Sequence, residues 1–129
     1  MTTVDTLTAS KAVLDWGLCK AIRQTPNLRL SSRGMGVCYM PNNGVVQLNA
    51  FVPFKHDDAH MCKRMVQQYR ISTEHKDGVW TCKVLDVGSE SHYIVATGES
   101  KETAVARCVV LLELGKTFEC DDRLLGEQM

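Results

Sequence analysis

One segment, residues 98–115, constrains the fold more than any other, because it carries helix signals at both ends and along its length. Ser100 is a natural N-cap, since its hydroxyl can accept a hydrogen bond from amides that the first helical turn leaves unpaired. Gly115 supplies a left-handed residue at which a helix commonly ends. We therefore predict a core helix around which the other elements pack. Its apolar stripe recurs at helical spacing and comprises Ala104, Val105, Cys108, Val109, Leu111 and Leu112.

The composition indicates a single folded domain. The chain has 129 residues, of which 44% are hydrophobic and 23% are charged, and these are ordinary values for a globular protein. We expect one domain over residues 1–129, ending in a short flexible tail at about 121–129. The 15 basic and 15 acidic residues cancel. A domain that grips nucleic acid over its whole surface usually carries a basic excess, so only a local basic patch is compatible with that function.

The six cysteines have the pattern of buried apolar residues. No two lie closer than 12 residues apart, so the chain has no CxxC pair of the kind that zinc sites use. Cys108 falls in the stripe of the last helix, and Cys82 lies between Trp80 and Val84. Free cysteine behaves as a small hydrophobe, and reduced thiols are typical of a cytoplasm. Together with the absence of an apolar signal region, this predicts a cytoplasmic protein.

Two further helices are predicted. The first covers residues 7–22, with Trp16 half-buried. Gly17 costs about 1 kcal/mol relative to alanine inside a helix, and we expect it to admit a closely packed neighbour. The second covers residues 57–69 and begins with Asp57 or Asp58 as its N-cap.

The strands are predicted to form an antiparallel sheet. The Asn43-Gly44 pair indicates a hairpin between residues 35–40 and 45–52, because both turn residues need positive φ. Short turns between the strands favour antiparallel pairing. The predicted fold is α+β, with a sheet of about four to five strands packed by three amphipathic helices in the order α-β-β-α-β-β-β-α. The remaining strands are expected at 71–75, 79–84 and 92–97, with a Lys76-Asp77-Gly78 turn between the first two.

The run His56-Asp57-Asp58-Ala59-His60 has the spacing of a zinc site in one respect. Two histidines four residues apart share one helical face, and an acid beside them can act as general base. The motif needs glutamate at the second position, and a cap at Asp57 or Asp58 leaves His56 outside the helix. We therefore favour a capped helix start with two surface histidines over a metal site.

The order from the second helix to the last imitates that of a double-stranded-RNA-binding domain, which grips phosphates partly with lysines at the start of its last helix. Here that start reads Glu99-Ser100-Lys101-Glu102, which is net acidic. Nucleic-acid binding is accordingly the alternative rather than the first choice.

Both ends of the chain resemble the NinX-like phage proteins. The run Leu14-Asp15-Trp16-Gly17-Leu18-Cys19-Lys20 is similar to that family's "LDWAVAK"-type opening. The C-terminal motif of that family is similar to a second set of residues, namely Gly98, Ala104, Arg107 and Leu114-Gly115, followed by Glu119 and Leu124. Trp80 fits the strand tryptophan of the related phage ABA-sandwich domains, whose helices cover both faces of a sheet. The resemblance implies a phage or prophage accessory protein made in infected bacteria, and it implies no reaction.

These observations favour stoichiometric binding to a host protein, for example as a counter-defence inhibitor, over catalysis. We expect no cofactor, metal or membrane partner, and a nucleic-acid accessory factor for phage recombination or replication is the alternative. Self-association through an edge strand at 36–40 or 45–52 is also left open. Aromatic residues often anchor interfaces, and we place the binding surface beside two of them. The predicted partner-binding residues are Arg33, Tyr39, Phe54, Lys55, His56, Asp57 and Asp58.

Overall fold

The computed structural model describes residues 1–32, 34–40, 51–86 and 92–125. Within them the chain forms eight strands, all paired antiparallel, and four helices, which confirms the predicted α+β class. In chain order the elements are β1 (Thr2–Asp5), α1 (Lys11–Ala21), β2 (Asn27–Ser31), β3 (Gly34–Tyr39), β4 (Val52–Pro53), α2 (Ala59–Tyr69), β5 (Ser72–Lys76), β6 (Val79–Leu85), β7 (Tyr93–Gly98), α3 (Lys101–Leu114), β8 (Thr117–Cys120) and α4 (Asp122–Leu125).

The strands are distributed over three small sheets rather than the single sheet that we predicted. β1 pairs with β8, β3 lies between β2 and β4, and β6 lies between β5 and β7. β1 escaped prediction because four residues give too few alternations to reveal a period of two. Its partner comes from the other end of the chain, with Thr2 opposite Cys120.

The predicted hairpin around Asn43-Gly44 lies mostly outside the described residues. The described chain instead contains a β2–β3 hairpin, in which Asn27 is opposite Cys38. Pro53 of β4 pairs with Cys38 from the other side. β3 is therefore paired on both sides at Cys38, so it offers no free edge for self-association at that residue.

The first helix begins later than predicted, at Lys11. The carboxylate of Asp5 accepts the Leu7 amide at 2.9 Å, and the Asp5 carbonyl accepts the Ala9 amide at 3.0 Å. These bonds hold the chain before α1 in a turn, a local alternative to helix that aspartate commonly offers. Leu7 is exposed as a result.

The prediction that Gly17 admits a close neighbour is confirmed. A Cβ at Gly17 would lie 2.6 Å from Cζ of Phe118 in β8. The prediction for Trp16 is wrong, since this side chain is buried. Its indole Nε1 donates to the carbonyl of Glu119 at 3.0 Å, so the strand that uses the Gly17 gap also covers the neighbouring tryptophan.

The second helix and the turn after β5 follow their local signals. The Asp58 carboxylate caps α2 by accepting the amides of His60 at 2.9 Å and Met61 at 3.2 Å. Asp77 and Gly78, both with positive φ, form the predicted turn between β5 and β6. Each signal acts within a few residues, which is why the sequence predicts both features well.

The third helix is the centre of the core, as its sequence predicts. Ser100 Oγ accepts the Thr103 amide at 3.1 Å, and Gly115, with φ 97°, ends the helix. The buried surface is wider than the predicted stripe, because Ala106 and Val110 are buried too. α1, α2, β6 and β7 all contact α3, and a helix with neighbours on several sides needs apolar residues around most of its circumference.

The predicted flexible tail does not begin at residue 121. Residues 122–125 form α4, and Leu124 is fully buried in the core. Residues 126–129 lie outside the described part of the chain.

All six cysteines are unpaired and buried, in agreement with the sequence pattern. Burial raises the pKa of Cys19 and Cys108 to about 12, and that of Cys82 and Cys120 to about 11. A buried thiol with a raised pKa is a poor nucleophile, so these side chains serve packing.

Candidate functional site

A cleft of about 940 Å³ opens where the start of α1, the start of α3, the turn before β6 and the chain ahead of α2 meet. We call it the polar cleft. Its wall contains Asp15 of α1, His56, Ser100 at the N-cap of α3, and Thr103 in the first turn of α3. Clefts of this size are typical of ligand and active sites.

A buried carboxylate–imidazole pair lies in the wall of the polar cleft. Asp15 Oδ1 accepts the backbone amide of His56 at 2.7 Å and lies 2.6 Å from His56 Nδ1. A carboxylate only accepts hydrogen bonds, so Nδ1 carries the proton in this contact and Nε2 of a neutral ring is left as the acceptor. The pair therefore fixes both the position and the tautomer of the imidazole.

The other imidazole nitrogen faces a pair of hydroxyls at the start of α3. His56 Nε2 lies 3.3 Å from Thr103 Oγ1. Ser100 Oγ donates to Thr103 Oγ1 at 3.0 Å and accepts the Thr103 amide at 3.1 Å. The contacts form one chain from hydroxyl to hydroxyl to imidazole to carboxylate, which we call the relay (Ser100, Thr103, His56, Asp15).

Gly98, the last residue of β7, allows Thr103 to reach this position. A Cβ at Gly98 would lie 2.7 Å from the Ala104 nitrogen and 3.1 Å from Thr103 Cβ. Any side chain at residue 98 would push the first turn of α3 away from the end of β7. The absence of a side chain there brings the Thr103 hydroxyl within reach of His56.

Arg107 braces the wall beside the relay. Its Nε donates to the carbonyl of Ala9 at 2.9 Å and its Nη1 to the carbonyl of Thr97 at 2.8 Å. Burial lowers the pKa of this guanidinium, and nearby Glu99 partly opposes that effect. The side chain thus links the chain before α1 to the end of β7.

The rim of the polar cleft carries charges of both signs. Lys11 and Lys55 contribute exposed ammonium groups, and Asp57 and Glu99 contribute exposed carboxylates. Because residues of both signs line one opening, the rim does not present a single-sign field of the kind that attracts a polyanion.

Three consecutive predicted binding residues, Lys55, His56 and Asp57, line this cleft. Lys55 and Asp57 are exposed there, whereas His56 is buried against Asp15. The expectation of a surface histidine at residue 56 is therefore wrong, because the carboxylate that binds it is 41 residues away in sequence. Asp58 instead caps α2.

The predicted aromatic residues lie elsewhere. Tyr39 and Phe54 meet edge-on, with ring centroids 5.4 Å apart and an interplanar angle of 83°. Phe54 is only 3% exposed, so it lies in the core and offers little surface to a partner. Both residues line a second cavity of about 570 Å³ between the end of α1 and α2. Arg33 lies outside the described residues.

Among the described residues, no group of three or more histidine, cysteine, aspartate or glutamate side chains is arranged to hold a metal ion. His60 is exposed on α2, as predicted. His56 directs Nδ1 at Asp15 and Nε2 at Thr103, so both of its ring nitrogens already face protein atoms.

The roles of Asp15, Ser100 and Thr103 in this site were not predicted from the sequence. One signal was present, since Asp15 is an acid inside the otherwise apolar run that α1 buries. An acid in such a position is rarely left without a partner. The NinX-like resemblance also included Asp15, Gly98 and Arg107, all of which line the polar cleft.

No protein-family model matches the chain, and no curated protein is significantly similar to it in sequence. The NinX-like resemblance therefore stays a prediction. Among the helices that the structure describes, none is both long enough and apolar enough to cross a lipid bilayer.

Proposed function

We propose that this protein is a small phage or prophage accessory protein that acts in a bacterial cytoplasm by stoichiometric binding to a host protein, with the polar cleft as its binding surface. The observation that carries the proposal is that Lys55 and Asp57, two of the predicted partner-binding residues, are exposed at one concave opening. Three residues on which the NinX-like resemblance rests, Asp15, Gly98 and Arg107, line the same opening, which supports a functional role for it.

A protein segment suits this opening better than a polyanion does. The rim pairs Lys11 and Lys55 with Asp57 and Glu99, so a partner must offer charges of both signs. Protein surfaces mix both signs at this scale, and complementary charges steer association and reject wrong partners. The buried wall residues Asp15 and His56 keep the floor of the opening fixed, which lowers the ordering cost of binding.

Nucleic-acid binding stays the alternative, and no contact in the described residues favours it. It predicts that the protein retains labelled single- or double-stranded DNA at low salt and releases it steeply as salt rises. Absence of binding at low salt would remove this alternative.

The proposal is tested by charge reversal at the rim. Tagged protein is used to recover partners from lysates of bacterial hosts, and the same experiment is repeated with Lys55→Glu and Asp57→Lys. Both residues are exposed, so neither change should unfold the protein. Lys63→Glu is the matched control, since Lys63 is exposed on α2 and does not line the polar cleft.

We expect one saturable partner that wild type and Lys63→Glu retain equally. Each rim variant should weaken its retention by at least about tenfold, because a like-charge contact in an interface costs several kcal/mol. Retention that is indifferent to the rim variants would place the binding surface elsewhere. Failure to recover a saturable partner from any host would contradict stoichiometric protein binding itself.

A further inference from the structure

The geometry points to a second capability of the polar cleft, and we propose that it is an acyl-transfer site for carboxylic esters. In this proposal Thr103 is the nucleophile, His56 is its general base, and Asp15 positions the imidazole. The proposal goes beyond partner binding and does not depend on it.

The direction of the protons along the relay supports a primed hydroxyl. Asp15 accepts, so His56 Nδ1 donates and His56 Nε2 accepts. Thr103 must then donate its proton to Nε2, across 3.3 Å. That distance is near the upper end for a nucleophile–base contact, and such contacts are often looser before substrate binds.

Ser100 completes the arrangement. Its hydroxyl donates to Thr103 Oγ1 at 3.0 Å, so the threonine oxygen is held from one side while its proton points toward His56 on the other. A hydroxyl fixed in this way loses little freedom on reaching the attacking geometry. The carboxylate–imidazole–hydroxyl order is that of hydrolytic triads, which recur on unrelated folds and are recognised by geometry and roles.

The surroundings of Thr103 suit the charge that acyl transfer develops. Thr103 lies in the first turn of α3. Its backbone amide donates to Ser100 Oγ, and the amide of Ala104 donates to the Ser100 carbonyl. The two amides before them, of Lys101 and Glu102, have no acceptor within the helix because of their position. They carry the positive end of the helix dipole, which favours the negative oxygen of a tetrahedral intermediate.

Thr103, His56 and one water molecule account for every bond and proton that changes in the reaction. Thr103 Oγ1 attacks the ester carbonyl carbon as its proton passes to His56 Nε2, and the imidazolium is stabilised by Asp15. The bond to the leaving alcohol then breaks, and His56 returns the proton to that alcohol. Water next attacks acyl-Thr103 and gives a proton to His56. Thr103 Oγ1 leaves with that proton, and a carboxylic acid is released.

If the relay has only a structural role, its hydrogen bonds link α1 to α3 and the Thr103 hydroxyl need not react with an ester. The test uses the full chain and p-nitrophenyl acetate as the probe. Release of p-nitrophenol is followed over time, and the acetylated residue is identified by peptide fragmentation in a mass spectrometer. The hydroxyl ester is distinguished from acetyl-lysine by its removal with hydroxylamine.

We expect an acetyl group on Thr103 in the wild type. Thr103→Val, which keeps the shape and removes the hydroxyl, should abolish it, and Thr103→Ser should retain it at the same residue. His56→Gln should slow acetylation by about 10²–10⁴-fold, the usual contribution of a general base. Thr117→Val is the matched control and should change nothing, because Thr117 is an exposed threonine of β8 that does not line the polar cleft.

The wild-type result alone can overturn the proposal. If Thr103 carries no acetyl group in samples quenched during the reaction, and the protein shows no continuing release of p-nitrophenol above buffer, the relay is structural. The same conclusion follows if acetylation of Thr103 proceeds equally fast in His56→Gln. Circular dichroism melts of each variant show whether a loss reflects unfolding, and Thr103→Ser decides the matter if Thr103→Val does not fold.

Discussion

Replacement of Asp15 by alanine should be among the most destabilising single changes in this protein. The carboxylate accepts two hydrogen bonds, from the His56 amide at 2.7 Å and from His56 Nδ1 at 2.6 Å. Hydrogen bonds to a charged group contribute about 1.5–3 kcal/mol each, and removing the acceptor leaves the buried amide and ring N–H of His56 without a partner. We therefore expect Asp15→Ala to lower the free energy of unfolding by about 3–5 kcal/mol.

Asp15→Asn separates the two contributions. The asparagine carbonyl can still accept the backbone amide of His56, so we expect roughly half of the loss. Both variants are compared with wild type by urea denaturation, with the midpoint as readout and the slope expected to stay constant. Asp57→Ala is the control, because this carboxylate lies exposed at the same cleft and should matter by less than about 0.5 kcal/mol.

A loss below about 1 kcal/mol for Asp15→Ala would refute this reasoning, because it would mean that His56 finds other partners at little cost. Equal losses for Asp15→Ala and Asp15→Asn would show that the carboxylate charge, rather than the two hydrogen bonds, dominates.

Three further changes have definite expected outcomes. Gly17→Ala should destabilise the protein, because overpacking against Phe118 costs about 1–3 kcal/mol and outweighs the gain of about 1 kcal/mol in helix propensity. If adding Phe118→Leu to this variant fails to recover the melting temperature, contact with the Phe118 ring is not the cause of the destabilisation. Ser100→Ala should cost about 1 kcal/mol through loss of the α3 cap, measured by urea denaturation, and no change would mean that the cap is dispensable. Under reducing conditions the midpoint of urea denaturation should stay constant up to about pH 9 and fall toward pH 12. The pKa of Cys19 and Cys108 is about 12 in the folded state against 9.0 for a free thiol, so the thiols of the unfolded chain ionise first and stabilise it. A midpoint that rises over this range would contradict the raised pKa of these thiols.

The sequence predicted the features whose causes are local. Ser100 begins α3 and Gly115 ends it. The backbone amides and carbonyls that need a cap lie within one or two turns of these residues. Asp58 likewise caps α2 by accepting amides two and three residues ahead of it. Asp77 and Gly78 form the turn that connects β5 to β6 through their positive φ angles alone. Even the space at Gly17 could be predicted, although the residue that fills it could not.

Contacts across the sequence decided the rest. β1 meets β8, and a strand of four residues contains no signal that names its partner. His56 finds Asp15 41 residues earlier and Thr103 47 residues later, and this pairing changes a predicted surface histidine into a buried one. Periodicity and capping act over a few residues, so by themselves they determine helices and turns. Only the packing of α1, α3 and the chain ahead of α2 against one another brings an acid, an imidazole and a hydroxyl to one wall, because their distances depend on where whole elements lie.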